Sequence, residues 1–378
     1  MVPSQQPFVI HINRTRIGGV IAPGRRTNYV LEIGIRECAN LIAICNGVGV
    51  VEHKKMPKLH ITFYASDKPR EIMLAEALKI GAAKHGDTLE ARRTGEYGET
   101  DNGDDLRYPG PTPDTDVVIA FGVKGKSRQI ISDHLQVGRS TLFFDKGYSR
   151  WGGEGGHTEY SRISVNGSDP LDYFMRPGED RNTDRFDGLV KRLLETPERK
   201  KFRHIVTYPE ARSKNTTGNI LICGSSEKYH AFHGLEHPTT WAERLVRELR
   251  KLTDRQIIYR PKPSWKNARP IAGTSISTKA QSIGDALRSC HVLVTHGSAA
   301  AMDAILYGVS ALALGRSIAQ PVSETILTNI EAPFWPGSPL LNRWCNAMAY
   351  CQWTTEELRT GEAWAELKKE IVRQGKLR

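Results

Sequence analysis

The run most suited to chemistry is His291-Val-Leu-Val-Thr-His-Gly-Ser-Ala-Ala-Ala-Met-Asp-Ala-Ile-Leu-Tyr-Gly308. A strand ends at His296-Gly297-Ser298 and a helix starts from small residues at Ala299, so free backbone N–H groups and the positive helix end form an anion seat. Small side chains let a phosphate approach the backbone, and Ser298 can cap the helix while donating to an oxygen. The same Gly-Ser-Ala-Ala run would equally let a helix pack closely on its sheet. A second segment, Arg260-Pro-Lys262-Pro, has two cations fixed by flanking prolines, extended and placed to neutralise a diphosphate, unless both are ordinary surface charges. A third, Cys223-Gly224-Ser225-Ser226, pairs a glycine suited to a tight turn with two hydroxyls, and is followed by Lys228, His230 and His233. The two histidines have metal-like spacing but no third ligand nearby, so no metal is expected. A fourth, Pro321-Val-Ser-Glu324, offers a carboxylate for a ribose diol or, alternatively, an acid at a helix start.

A fifth constellation lies in the other half of the chain. The strand Thr141-Leu-Phe-Phe144 runs into Asp145-Lys146-Gly147-Tyr148-Ser149-Arg150. Ligands in α/β sheets bind outside the carboxyl ends of parallel strands, which makes this loop a site candidate by position. Asp145 is suited to general-base work, or to a plain loop ion pair with Arg150.

The elements that must position these residues follow from periodicity. Leu59–Tyr64 reads as a strand, the turn Ser66–Pro69 follows, and a helix runs from Glu71 to Ala83. After a polar loop from Thr94 to Asp116 come the strand Val117–Phe121, a helix from Lys126 to Leu135 and the strand at 141–144. Trp151 to Asp187 reads as irregular, ahead of a helix around Arg185–Leu194. From Asn219 the pattern restarts: strand to Cys223, helix Trp241–Leu252, strand Gln256–Tyr259, helix Ile283–Ser289, strand Val292–Val294, helix Ala299–Leu306, strand Ala311–Leu314. A last helix, roughly Thr355 to Arg373, starts from the capping sequence Thr354-Thr-Glu-Glu. Such alternation predicts an α/β protein of two Rossmann-like domains facing a cleft, with parallel sheets covered by helices on both faces. The expected divisions are an N-terminal extension at 1–55, a first domain at 56–195, a linker at 196–218, a second domain at 219–342 and a helical segment at 343–378. Residues 1–55 are either a β-hairpin extension or lie upstream of a start at Met56.

Composition bounds the rest. The 378 residues suit two domains better than one. A hydrophobic share of 39% and a charged share of 25% are those of a globular protein, and no apolar run nears the ~20 residues of a membrane span. The first residues lack the pattern of a signal peptide, which predicts a cytoplasmic protein. Cys38, Cys45, Cys223, Cys290, Cys345 and Cys351 form no CxxC pair and read as small buried hydrophobes. The net charge of +11 attracts anions, whether nucleic acid, anionic glycan or nucleotide. Residues 1–55 hold seven Lys/Arg against three acids, so the basicity is spread along the chain.

In their order, Gly224-Ser-Ser, Arg260-Pro-Lys-Pro, Thr295-His-Gly-Ser-Ala-Ala-Ala-Met-Asp-Ala-Ile-Leu-Tyr-Gly308 and Pro321-Val-Ser-Glu324 resemble the nucleotide-sugar half of GT-B glycosyltransferases. The likeness is to the capsule-polysaccharide and Kdo-transferase type, in which an acid-x-Gly-aromatic-x-Arg loop similar to 145–150 lies in the N-terminal half. It covers Asn219 to about Pro336, and more loosely Leu59 to Arg150. The chain departs from the pattern at Gly308-Val-Ser310, where proline is common, and in the Gly-rich insert after Trp151. As a whole it also looks like proteins encoded by bacteriophages.

The resemblance implies a metal-independent glycosyltransferase, with no cofactor beyond its nucleotide-sugar donor. Gly224, Ser225, Ser226, Arg260, Lys262, His296, Gly297, Ser298, Ala299 and Glu324 would bind the donor. Asp145 and Arg150 would be catalytic, and Lys146, Gly147, Tyr148 and Trp151 would face the acceptor. That acceptor is a glycan or a hydroxylated base in phage DNA, the overall basicity favouring the polyanion. Tyr148, Trp151 and Tyr160 supply aromatic faces for a flipped base. Two other readings share the fold: a catalytically inert nucleotide- or DNA-binding protein, and a nucleotide-sugar epimerase.

Overall fold

The computed structural model describes residues 56–93, 110–122, 125–148, 160–170, 173–195, 218–263, 265–277 and 281–375. The expectations for residues 1–55, Arg150, Trp151 and the connector at 196–217 lie outside them. Met56–Arg378 forms one compact unit.

The first half is built on six strands in the order β11-β5-β4-β3-β1-β2. These are β1 (His60–Ala65), β2 (Thr88–Arg93), β3 (Val117–Phe121), β4 (Ser140–Lys146), β5 (Tyr160–Val165) and β11 (Gln352–Thr354). The central strands β1, β3 and β4 are buried on both sides over most of their length, as strands covered on two faces must be. One face is covered by α1 (Pro69–Ala83), α9 (Thr355–Thr360) and α10 (Glu362–Gln374), the other by α2 (Gly125–Gln136).

The second half carries the all-parallel order β10-β9-β6-β7-β8. Its strands are β6 (Asn219–Cys223), β7 (Ile257–Arg260), β8 (Ser275–Ile276), β9 (Cys290–Thr295) and β10 (Ser310–Ala313). Helix α5 (Pro238–Leu249) packs on one face, and α6 (Ile283–Arg288), α7 (Ala300–Leu306) and α8 (Ser338–Ala349) on the other. Between the halves lie α3 (Asp184–Glu195) and, after β6, the short α4 (Glu227–Phe232).

Two Rossmann-like halves with helices on both faces of each sheet are therefore present, with several departures from expectation, among them the strand β11 in a segment expected to be helical. The first sheet is mixed, because β5 runs antiparallel to β4 and to β11. β5 lies in the stretch that reads as irregular. β2 is an edge strand of polar character, Thr-Leu-Glu-Ala-Arg-Arg, exposed along one side. The last helix is two helices, broken at Gly361, whose φ of 87° is a conformation glycine adopts without strain. The capping box at Thr354 and Glu357 is formed as the sequence suggests.

The C-terminal chain thus returns from the second half to the first. Its seat is tight: a Cβ at Gly81 of α1 would stand 1.9 Å from the Leu358 carbonyl oxygen. It is also ionic, since Lys368 donates to both oxygens of the fully buried Asp87, which also accepts from Trp364 Nε1 and the Leu59 N–H. Among the described residues no helix is long and apolar enough to cross a membrane.

Candidate functional site

Strand register brings the C-terminal motifs together. Cys223, the last residue of β6, pairs with Arg260 of β7 on one side and with Thr295 of β9 on the other. The loops after all three strands therefore emerge side by side. Thr295 fastens two of them: its hydroxyl donates to the Cys223 carbonyl (2.8 Å) and accepts from the Ser298 N–H (3.1 Å). Arg260 is buried, with Nη1 donating to Ser277 Oγ at 2.6 Å and Nη2 to the Gln281 carbonyl at 2.8 Å. Those bonds hold its guanidinium at the strand end.

Opposite stands the carboxyl end of the first sheet. Asp145 and Arg162 face each other across β4 and β5 and pair at 2.9 Å, with side chains 29% and 19% exposed. Arg162 also approaches Asp169 (3.7 Å) and lies over the Tyr148 ring, while the Tyr148 hydroxyl donates to Asp169 (3.4 Å). Burial works against the Arg162 charge, but Asp145, Tyr148 and Asp169 around it outweigh that and raise its pKa. Burial, reinforced by Asp169, pushes the Tyr148 phenol well up.

Both walls line one cavity of about 940 Å³. The second half contributes Gly224, Ser225, Ser226, Arg260 and Lys262, together with Gly297, Ser298 and Ala299. The first contributes Asp145, Lys146 and Tyr148. Arg260, Lys262 and Ser298, far apart in sequence, thus face the same space.

The anion seat has fewer open amides than the sequence suggests. The Ser298 N–H is taken by Thr295 Oγ1, and the Ala300 N–H by Ser298 Oγ at 3.3 Å. Among the described residues no acceptor is set against the N–H groups of Gly297 and Ala299. Gly297 is required by packing as well, since a Cβ there would stand 1.8 Å from the Tyr229 hydroxyl and 2.7 Å from the Arg316 carbonyl.

Three expected residues stand elsewhere. His296 does not line the cavity; its ring packs against Gly315 and lies edge-on to Tyr229 and Trp241. Burial lowers its pKa, with His230 and His233 adding to the effect. Glu324 is also off the lining, because its carboxylate organises the loop that follows. One oxygen accepts from the N–H groups of Thr325 and Ile326 (both 2.8 Å), the other from Asn329 Nδ2 (3.0 Å) and the Phe334 N–H (3.3 Å). Burial opposes its charge, but these bonds outweigh it and lower its pKa. Neither of its oxygens is left for a ribose. Gly147 lies beneath Tyr160, where a Cβ would meet the Tyr160 backbone at 2.7 Å. The expected Asp145–Arg150 pair involves a residue outside the described ones; within them Asp145 pairs with Arg162.

The lining includes residues that sequence reasoning passed over: Arg162, Asp169, Tyr229, Asp303, and Lys68 and Arg70 at the start of α1. The alternation in Tyr-Ser-Arg-Ile-Ser-Val165 was a readable strand signal for Arg162. The four described cysteines are buried, and burial raises the Cys223 thiol to about 12.

No protein-family model and no curated protein matches the chain. Among solved structures it is similar to the β-Kdo 2,4 transferase of Thermosulfurimonas dismutans KpsC, at 12% identity and a TM-score of 0.48 over 78% of this chain and 91% of that one. It is also similar to the β-Kdo 2,7 transferase of the same protein, at 11% identity and a TM-score of 0.44 over 82% of this chain and 100% of that one. A third likeness is to the UDP-GlcNAc 2-epimerase of Neisseria meningitidis bound to UDP-GlcNAc, at 12% identity and a TM-score of 0.29 over 83% of this chain and 100% of that one.

Proposed function

We propose that the chain is a GT-B-type glycosyltransferase that moves a sugar from a nucleotide-sugar donor to a hydroxyl on a glycan or on a hydroxylated base of phage DNA. The observation that carries this reading is the meeting of Arg260, Lys262 and the Gly297–Ala299 turn with the Asp145–Arg162 pair on opposite walls of one cavity.

In this reading the donor phosphates lie on the C-terminal wall. Arg260 and Lys262 meet the negative charge that develops as the bond between the sugar and the nucleotide breaks, and no metal is invoked. The acceptor hydroxyl oxygen forms the new bond to the anomeric carbon, and its proton passes to Asp145. Alternatively, Asp145 stabilises the positive charge that builds on the sugar ring. Arg162 holds that carboxylate at the strand end, and Asp169 balances the second face of the guanidinium.

A thermal-shift panel of UDP-, GDP-, CMP- and dTDP-sugars on the pure protein, run in EDTA, tests the donor seat. One nucleotide class should raise the melting temperature, and Arg260→Ala should abolish the rise. No shift with any donor would remove the transferase reading. Release of an altered sugar from the donor with no acceptor present would replace it with an epimerase.

A further inference from the structure

We propose that the N-terminal wall carries a second anion seat, built from Lys68, Arg70 and Lys146, which takes a phosphate group belonging to the acceptor. The seat itself is argued from geometry and charge; only the assignment of its occupant as the acceptor rests on the transferase reading.

Strand pairing and one helix start bring the three cations together. Lys146 is the last residue of β4 and stands opposite Ser161 of β5. Arg70, in the first turn of α1, reaches the same rung: its Nη2 donates to Ser161 Oγ and to the Tyr160 carbonyl, both at 3.1 Å, and its guanidinium lies over the Phe121 ring. Lys68 precedes it by two residues at the N-cap of this 15-residue helix. All three line the cavity and belong to the first half, whereas Arg260 and Lys262 belong to the second.

Among the described residues the acids of this wall have partners of their own. Glu71 is buried and accepts from the Ser66 N–H (2.7 Å) and from Lys68 Nζ (3.3 Å). Asp145 and Asp169 share Arg162. Among the described residues no carboxylate forms an ion pair with the exposed Lys146. Among the described residues that line the cavity, lysine and arginine outnumber aspartate and glutamate. Among the described lining residues of this wall the four cations Lys68, Arg70, Lys146 and Arg162 stand against the three acids Glu71, Asp145 and Asp169, and a net positive wall attracts a negative group of its own. An anchored guanidinium fork beside two flexible ammonium groups suits the several oxygens and charge of a phosphate better than a single carboxylate. Space agrees, because about 940 Å³ lies at the upper end of the roughly 300–1,000 Å³ of ligand pockets. The reacting hydroxyl would then sit between the two anions, beside Asp145.

Isothermal titration calorimetry of the full chain with inorganic pyrophosphate at low salt tests the proposal. The wild type should take two equivalents. Lys68→Ala combined with Lys146→Ala removes only exposed side chains and should weaken one equivalent by about tenfold or more, leaving the other unchanged. Lys146→Arg should retain both, and circular dichroism checks the fold of each variant. Lys228 also lines the cavity from the second half, and Lys228→Ala with Lys262→Ala should give the converse loss. A single equivalent in the wild type, or two unaltered equivalents after loss of Lys68 and Lys146, overturns the second seat while leaving the donor seat intact. Two unaltered equivalents after loss of Lys228 and Lys262 instead overturns the donor seat and leaves this one standing. Glucose 6-phosphate and the dinucleotide TpT, titrated separately, distinguish a monoester from a diester; at least one should bind in a Lys146-dependent way, and failure of both overturns the assignment to an acceptor phosphate.

Discussion

Replacing Gly297 with alanine puts the anion seat under the most direct mechanical test. The added methyl would stand 1.8 Å from Tyr229 Oη and 2.7 Å from both Tyr229 Cζ and the Arg316 carbonyl oxygen, against the 3.4–4 Å of ordinary contact. The tyrosine cannot simply swing aside, because its ring is wedged against His233 at 4.3 Å between centroids and its hydroxyl donates to the Arg316 carbonyl. That carbonyl belongs to the backbone and must shift as well. Forced repacking of this kind costs about 1–3 kcal/mol, and the backbone contact places it in the upper part of that range. At about 1.5 °C per kcal/mol for a unit of this length, the melting temperature should fall by about 3–5 °C. Because Tyr229 lines the cavity, its displacement should also diminish the stabilisation conferred by the nucleotide identified in the donor panel. Differential scanning fluorimetry with and without that nucleotide reads both effects. Adding Tyr229→Ala should recover part of the loss, since the two side chains share one space. A Gly297→Ala protein with wild-type melting and a wild-type ligand shift would refute the close packing of Tyr229 on this turn.

Asp145→Asn should lower turnover by about 10²–10⁴-fold, the range of general acid–base contributions, with nucleotide affinity unchanged by calorimetry; full turnover in a folded protein removes Asp145 from the chemistry. Lys368→Met should destabilise the protein by about 3–5 kcal/mol, because it leaves the Asp87 carboxylate buried without its partner; denaturant unfolding measures it. Stability should also decline in mild acid. Burial lowers the pKa of His230, His233 and His296 from the ordinary 6.5, so the unfolded chain binds more protons between the native and ordinary values. Their contribution is complete above 6.5 and is lost as the pH falls through the lowered native values. Melting curves against pH should show the decline, and His296→Asn should flatten it.

What periodicity could locate was where strands end, and that sufficed for much of the second half. Buried parallel strands are nearly continuous apolar runs, so β6, β7 and β9 and the loops after them were readable without knowing their neighbours. The elements that stayed hidden carry weak local signals. β2 is a polar edge, β11 is three residues long, and β5 follows a Gly-rich insert that breaks the pattern. Side-chain commitments were hidden for a different reason. Whether Glu324 is available to a ligand depends on how residues 325–334 curl back onto it, and whether His296 enters the cleft depends on Gly315 of a neighbouring loop.

The same distinction explains the first wall of the cavity. Asp145 was recognisable from its place at a strand end, but the partner it has among the described residues, Arg162, stands 17 residues further on. An antiparallel strand sets that arginine opposite the carboxylate, and the same pairing puts Lys146 on the rung that Arg70 reaches from α1. A site made by adjacency can be altered by changing adjacency alone. Insertions that shift β5 by one residue would turn Arg162 to the other face of the sheet, separating it from Asp145 without touching either residue, whereas changes inside the second half would leave this wall intact. The proposed acid–base group and the proposed phosphate seat therefore depend on one strand register, while the donor seat depends on another, and the two should be separable by mutation.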